Sequence, residues 1–385
     1  MWKNIVLVLL SFCLSIAAIE VLARFFVVLP NPFGKPHDLI VQDERGFWTL
    51  APNFAGKMDN RRDFKDKTLS TDQYGGRTVT CRHKATGSKK IIVVGDSQSF
   101  GQGLSDGETW PSLIQCKLVA EKRSGRVYNL SVPSVNIDTY AVRLRQFVAH
   151  LEHDDHVIIG VTWNDLHTNS PKEDVVTTKR SLKEFKYLVK NQEMGVRPSS
   201  PLKFLHTPTW RREFYEDYGF LVPNVGGMKT FLDSMQFSSA AFHLLYPRLK
   251  ELLYRLRPED SFFKKLPEGT FHRNFVILGA MQELVKSKGA QFSVLFLPNR
   301  LFFDNFYYDS YSKNGKVFPA QDFLQYLGKK FCTDLSITCI SAFPFLLTNQ
   351  RDAHTFPFDG HYNERGARQI ATGVFRLLFK REKWK

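Results

Sequence analysis

The chain has 385 residues, of which 43% are hydrophobic and 24% charged, and 53 basic against 38 acidic residues give a net charge of +15. This apolar content excludes a disordered chain, and 18 prolines with 24 glycines exclude fibrous and low-complexity classes. The positive charge favours anionic surfaces, but the basic residues alternate with acids, as in Arg61-Arg62-Asp63, and no nucleic-acid motif accompanies them. We therefore interpret the charge as a solvated basic surface and expect no nucleic-acid partner.

The first predicted element is an apolar N-terminal segment. Residues 5–19 contain no charged residue and are apolar apart from two serines, and the run continues past Glu20 and Arg24 to residue 29. A helix of this length reaches roughly 37 Å, enough for a tilted membrane span, and the two charges are spaced to neutralise each other. We predict a signal anchor over residues 1–29, with a cleaved signal peptide or a buried core helix as alternatives. The first two readings place residues 30–385 outside the cytoplasm.

The cysteines are compatible with an oxidising compartment. Cys13 lies in the apolar segment, and the other four, Cys81, Cys116, Cys332 and Cys339, allow three complete disulfide connectivities. The last two are close enough in sequence to bridge around a turn. No Cys or His spacing typical of a metal site occurs, so we expect neither a metal nor a cofactor.

The next segment, residues 30–88, is rich in proline, glycine and turn residues, with a strand-like piece near residues 47–50. We interpret it as a stalk and N-terminal extension that packs onto the main domain rather than as an independent domain.

Short apolar runs then alternate with segments of helical spacing. Strands are predicted at residues 91–94, 127–130, 157–161, 292–297 and 336–341, and helices at residues 110–119, 140–151, 274–288 and 363–379. This alternation predicts an α/β fold, a three-layer α/β/α sandwich with a central parallel sheet. The alternation stops over residues 170–272, which we interpret as an insertion in a domain that spans residues 89–380.

The first polar motif, Gly95-Asp96-Ser97, directly follows the first predicted strand of the sheet. A serine on a sharp strand-to-helix turn lies at the carboxyl edge of a parallel sheet, where open α/β folds place their sites. The following helix offers free N–H groups to developing negative charge. The alternative is a turn that uses these three residue types only for their backbone properties.

The second motif, Asp359-Gly360-His361, precedes the last predicted helix. An acid two residues before a histidine can hold the ring so that its other nitrogen faces a nucleophile. Asp352 and His354 have the same spacing. We prefer the later pair because it adjoins a helix start, which fixes its position.

Two further motifs end predicted strands. Asn164, in Trp163-Asn164-Asp165, can aim its side-chain amide at an oxyanion. Residues 129–134 end another strand, and a backbone N–H group there offers a second donor.

Together, these motifs resemble the SGNH (GDSL) hydrolase superfamily over roughly residues 89–169 and 273–380. The match extends to residues after the serine and after the histidine, namely Phe100-Gly101-Gln102-Gly103-Leu104, Asn363 and Gly366. The resemblance implies a flavodoxin-like arrangement of the sheet.

The resemblance also implies the role of each site residue. Ser97 is then the nucleophile, His361 the general base and Asp359 the residue that orients the histidine. The oxyanion donors are the backbone N–H groups of Ser97 and Ser134 and the side-chain amide of Asn164. The family usually has glycine where this chain has Ser134, a change that keeps the backbone donor but crowds the crevice or alters acceptor access.

The function that follows is an exported, membrane-anchored serine esterase or O-acyltransferase. Its substrates would be small acyl esters, often acetyl, of an envelope glycan, and a membrane acyltransferase is a candidate partner. The alternatives are a lipid-directed esterase, which an apolar lid in the insertion would favour, and a noncatalytic glycan-binding or assembly protein.

Overall fold

The computed structural model describes residues 2–26, 34–36, 38–42, 48–83, 86–162, 165, 239–242, 245, 268–305, 332–333 and 335–379. The insertion predicted at residues 170–272 lies outside the described residues except for its short pieces at 239–242, 245 and 268–272.

The N-terminal helix α1 spans Trp2–Phe26. By length and composition, its segment Val6–Phe26 is sufficient to cross a membrane. Large apolar side chains along it, such as Leu7, Val8 and Phe12, are more than half exposed. A helix with this surface is not a core helix, so the structure does not support the buried alternative.

Glu20 of α1 connects this helix to a piece of the insertion. The Arg24 side chain donates to the Glu20 carboxylate at 2.7 Å, so the pair expected from the sequence is present. The same carboxylate accepts a hydrogen bond from the Ser239 hydroxyl at 2.7 Å and from the backbone N–H groups of Ala240 and Ala241 at 3.0 and 3.1 Å.

The N-terminal arm, which comprises the described residues between 34 and 80, contains two antiparallel hairpins. In the first, β1 (Ile40–Gln42) pairs with β2 (Trp48–Leu50), and in the second, β3 (Ala55–Met58) pairs with β4 (Lys67–Ser70). Their buried apolar side chains belong to the same hydrophobic cluster as those of the main sheet. The arm therefore packs on the α/β domain.

Five parallel strands form the central sheet. They are β5 (Lys90–Gly95), β6 (Arg126–Asn129), β7 (His156–Thr162), β8 (Gln291–Leu297) and β9 (Thr338–Ser341). The bounds of each strand differ by at most two residues from those of a strand predicted from the sequence. The spatial order β6-β5-β7-β8-β9 is the 2-1-3-4-5 order of flavodoxin-like folds.

Helices cover both faces of this sheet. They are α2 (Ser97–Phe100), α3 (Trp110–Ala120), α4 (Ile137–Phe147), α5 (Glu268–Lys286), α6 (Arg300–Phe303), α7 (Phe343–Leu346) and α8 (Glu364–Phe379). Because side chains alternate along a strand, Ile91 and Val93 pack in one cluster with α3 and α8, while Ile92 and Val94 pack in the other with α4 and α5. The predicted three-layer α/β/α sandwich is confirmed.

Two disulfides join described segments. Cys81, just after the arm, bonds Cys116 in α3, and Cys332 bonds Cys339 in β9, with Cα–Cα distances of 5.3 and 6.0 Å. Cys13 is exposed and free. This is one of the three connectivities that the sequence allows, and it includes the bridge between the two cysteines that are close in sequence.

Candidate active site

The candidate site lies where the strand order of the sheet reverses. Strands β6 and β7 flank β5 on opposite sides, and such a switch point opens a crevice at the carboxyl ends of the strands. Ser97 lies two residues beyond the end of β5. Asn164 follows β7 by two residues but lies outside the described residues.

The turn after β5 is held by a helix cap and by close packing. Asp96 is the N-cap of α2, and its carboxylate accepts a hydrogen bond from the Gln98 N–H group at 2.9 Å. Ser99 is fully buried, and a Cβ atom at Gly95 or Gly160 would overlap its hydroxyl group. The glycines therefore let the turn approach β7 closely, and Ser99 fills this space instead of facing the crevice.

The structure brings Ser97, His361 and Asp359 into one chain of hydrogen bonds. His361 Nε2 lies 2.7 Å from Ser97 Oγ, and His361 Nδ1 is bonded to Asp359 Oδ1. The side chains of His361 and Asp359 are 19% and 5% exposed. Burial raises the pKa of the Asp359 carboxyl, but the charge of His361 and the hydrogen bonds outweigh this effect and lower the pKa below its usual range. Asp359 is therefore ionised at neutral pH.

Two glutamines near Ser97 hold the segment that carries His361. The Gln102 amide donates to Asp359 Oδ2 at 3.0 Å, and Gln98 accepts from the Tyr362 N–H group at 3.1 Å. The Tyr362 hydroxyl in turn donates to the Pro298 carbonyl at 2.5 Å. The sequence predicted no role for either glutamine, although Gln102 lies within the motif after the serine.

The loop that ends at His361 is tightly folded. The Phe356 N–H group donates to the His361 carbonyl at 2.8 Å, and Gly360 has a φ of +84°, in the left-handed region that favours glycine. Arg300 donates to the carbonyls of Phe356 and Pro357 at 3.3 and 2.8 Å. These contacts fix the backbone on which Asp359 and His361 stand.

The start of α8 shows what Asn363 and Gly366, the two motif residues after the histidine, do in the structure. The Asn363 side chain accepts hydrogen bonds from the N–H groups of Arg365 and Gly366, each at 3.0 Å. Because a Cβ atom at Gly366 would overlap the His354 carbonyl, the glycine permits a close approach there. Asn363 thus caps the helix immediately after the loop.

The second acid–histidine pair lies in a different environment. His354 is buried, and its ring packs near the Phe303 ring, with 6.2 Å between centroids. Asp352 forms ion pairs with Arg300 at 3.5 Å and Arg351 at 3.2 Å. In the described part of the chain, neither member of this pair contacts Ser97.

Known proteins were compared with the chain at the level of sequence and of fold. No family model and no curated protein matches. The similar solved structures include TesA (14% identity, 76% of this chain and 98% of that chain, TM-score 0.36). They also include a lipolytic protein of the G-D-S-L family from Desulfitobacterium hafniense DCB-2 (11%, 75% and 99%, 0.36). A carbohydrate acetylesterase family member from Sinorhizobium meliloti is similar at 10% identity, with 75% and 96% coverage and a TM-score of 0.32.

One of the proposed oxyanion donors, Ser134, has an unusual backbone. Its φ is +64°, a backbone conformation that glycine adopts without strain. Its side chain is exposed. The turn before it is held by Asn129, whose amide donates to the Ser99 carbonyl at 3.0 Å and whose side-chain oxygen accepts from the Ser131 N–H group at 3.2 Å. The turn that carries Ser134 is thereby tied to the helix that carries Ser97.

A cation from the N-terminal arm lies near the site. The ammonium group of Lys35 interacts electrostatically with the carboxylates of Asp359 and Asp96. Burial lowers the pKa of Lys35 to about 8, and the two carboxylates oppose this shift. The segment interpreted from sequence as a stalk thus adds a positive charge to the surroundings of the catalytic candidates.

Two buried carboxyl groups lie beneath the crevice and share one hydroxyl. The Thr162 hydroxyl is 2.9 Å from Asp96 Oδ2 and 2.9 Å from Asp165 Oδ2, and the Thr162 N–H group donates to Asp165 at 2.7 Å. Burial, and next the charge of Asp96, raise the pKa of Asp165 well above its ordinary value. The folded protein therefore favours the neutral form of Asp165 more strongly than the unfolded chain does.

Replacing Asp165 with asparagine is expected to stabilise the protein progressively as the pH rises. A carboxyl whose pKa is higher in the folded state contributes stability that is fully present below its unfolded-state pKa, which is near 4. This stability is lost as the pH rises through its folded-state pKa. Asp165→Asn removes this loss. The free energy of unfolding of the variant, relative to the wild type, should therefore increase by about 1.4 kcal/mol per pH unit between the unfolded and folded pKa values. Urea unfolding of the full chain in detergent at pH 5, 6 and 7 measures this difference. A difference independent of pH would contradict the assignment.

Proposed function

We propose that this protein is an exported, membrane-anchored serine esterase or O-acyltransferase of the SGNH type. The observation that carries the proposal is the continuous hydrogen-bond chain from Ser97 through His361 to Asp359. A hydroxyl, an imidazole and an ionised carboxylate in this order are the parts of a serine nucleophile activated by a general base.

The mechanism follows from these groups. His361 Nε2 takes the proton of Ser97 Oγ as the oxygen attacks an ester carbonyl, and the resulting imidazolium is stabilised by Asp359. The backbone N–H groups of Ser97 and Ser134 and the Asn164 amide stabilise the tetrahedral oxyanion, at about 3–4 kcal/mol for each donor. Collapse of the intermediate gives an acyl-enzyme and an alcohol, which receives the proton from His361.

The second half of the reaction separates an esterase from a transferase. Water or an acceptor alcohol loses its proton to His361 and attacks the acyl group on Ser97. The leaving Ser97 oxygen then regains the proton, so the enzyme returns to its starting state. Water gives a free acid, whereas a sugar hydroxyl gives a new ester.

Three features of the chain favour a location in the cell envelope, and this location supports an envelope substrate. Helix α1 is long and apolar enough for an anchor, and two disulfides are typical of proteins that fold outside the reducing cytoplasm. The net charge of +15 attracts the chain to anionic surfaces. We infer that the substrates are small acyl esters, such as acetyl esters, of an envelope glycan, with a membrane acyltransferase as the acyl-donating partner of a transferase.

A fluorophosphonate probe tests the proposal on the full chain in detergent micelles. The probe should label the wild type and Ser99→Ala but not Ser97→Ala, because Ser97, and not Ser99, is bonded to His361. Ser99→Ala is the matched control, since it removes a hydroxyl two residues away that is buried. Absence of labelling in the wild type would refute the enzyme and favour the noncatalytic glycan-binding alternative.

A further inference from the structure

The N-terminal arm contains a loop, residues 60–64, whose conformation is set by one buried side chain. Asn60 accepts three backbone hydrogen bonds, from Arg62 at 3.0 Å, Asp63 at 2.8 Å and Phe64 at 3.1 Å. Its own N–H group donates to the Phe64 carbonyl at 3.2 Å. A loop with this many internal bonds presents its side chains in fixed directions.

Asp63 projects from this loop onto the segment that carries the catalytic candidates. Its Oδ2 atom accepts hydrogen bonds from the backbone N–H groups of Phe358 at 3.0 Å and Asp359 at 2.6 Å. Asp63 is half-buried, and charged acceptors of this kind form short, strong bonds. The bond at Asp359 is made to the backbone of the residue that binds His361.

Two neighbouring contacts reinforce this attachment. The Phe64 ring packs on Phe356 with 5.4 Å between centroids, and the Arg62 guanidinium lies 4.7 Å from the centre of the Phe358 ring. On the same backbone, Arg300 bonds the carbonyls of residues 356 and 357. The loop before His361 is thus held by the arm through its N–H groups and by α6 through its carbonyls.

We infer that Asp63 is a positioning residue of the active site, which fixes the backbone of Phe358 and Asp359 so that Asp359 orients His361. The inference rests on the proposed function, because it concerns the same catalytic group. Asp63 lies outside all four motifs that carry the family resemblance. It makes turnover depend on a segment that follows the membrane anchor and precedes the α/β domain.

The charges around Asp63 come from four segments. They are Arg62 beside it, Asp359 and His361 on the loop that it binds, Lys35 near Asp359, and Arg300 on α6. Burial raises the pKa of Asp63, as does the charge of Asp359, while the two N–H donors and Arg62 oppose the rise. The side-chain amide oxygen of asparagine can accept the same two hydrogen bonds without a charge. An Asn variant therefore separates the effect of these hydrogen bonds from the effect of the negative charge.

Three variants of the full chain in detergent test the inference by turnover of p-nitrophenyl acetate. Asp63→Ala removes the acceptor and should lower kcat at least tenfold with KM within twofold, because a misplaced base slows chemistry without changing binding. Asp63→Asn should retain kcat within threefold. Asp66→Asn is the control, since Asp66 is on the same arm but its side chain is 60% exposed and paired with Lys57. If Asp63→Ala does not fold, Asp63→Ser makes the same test with an intermediate loss of kcat.

A spectroscopic readout keeps this inference separate from the proposed function. The proton between His361 Nδ1 and Asp359 should give a far-downfield NMR resonance that is absent in His361→Ala. We expect Asp63→Ala to broaden or shift it and both Asn variants to retain it. Unchanged kcat and an unchanged resonance in Asp63→Ala would overturn the positioning role. Equal turnover by Ser97→Ala would instead overturn the proposed function, and the resonance would still decide the role of Asp63.

Discussion

Replacing His361 with alanine should lower kcat/KM for p-nitrophenyl acetate by about 10,000-fold or more. His361 Nε2 is bonded to Ser97 Oγ, so its loss leaves the serine hydroxyl without a base and the leaving alcohol without an acid. The residual rate should come from the oxyanion donors alone. Steady-state kinetics of the full chain in detergent, with Ser97→Ala measured in parallel, provide the test.

His354→Ala is the matched control for this prediction. His354 belongs to the acid–histidine pair with the same spacing, but its ring packs near Phe303. Its removal should change kcat/KM by less than about threefold, with a loss of stability from the packing that disappears. The reverse pattern, a silent His361→Ala and an inactive His354→Ala, would show that the earlier pair serves the reaction.

The sheet was predictable because its signal is local. Each strand is a short apolar run with turn residues after it, and a parallel strand with both faces covered requires such a run. The motifs at the strand ends were predictable for a related reason, since the carboxyl ends of parallel strands meet at one edge. Ser97 and His361 are 264 positions apart. Ser97 follows β5 and His361 precedes α8, so each lies next to an element that fixes its position.

The contribution of the N-terminal arm was not predictable from its pattern. Asp63 stands in a run of alternating charges, Arg61-Arg62-Asp63, which usually indicates a solvated surface. Its partners are 295 and 296 positions away, and no periodicity of the arm points to them.

Arg77→Met should reduce the free energy of unfolding by about 3–5 kcal/mol, the usual cost of breaking a buried ion pair. Arg77 is fully buried, and its pKa is lowered by burial to about 10, against the opposing charge of Asp106, so it remains charged at neutral pH. Its guanidinium donates to the carbonyls of Phe100 at 3.0 Å and Gly101 at 2.7 Å and to that of Leu104, and pairs with Asp106 at 3.2 Å. Methionine fills much of the volume but cannot donate any of these hydrogen bonds.

The same substitution should also slow labelling of Ser97 at temperatures where the chain stays folded. Two of the carbonyls bonded by Arg77 lie at the end of the short helix that begins with Ser97, so the loss of these bonds loosens the turn. Arg77→Lys should be intermediate, because an ammonium group keeps the charge but lacks the planar fork of donors. Lys57→Met is the control, since Lys57 and Asp66 form an exposed pair worth at most about 1 kcal/mol. If Arg77→Met and Lys57→Met unfold at the same urea concentration, the guanidinium does not hold this turn.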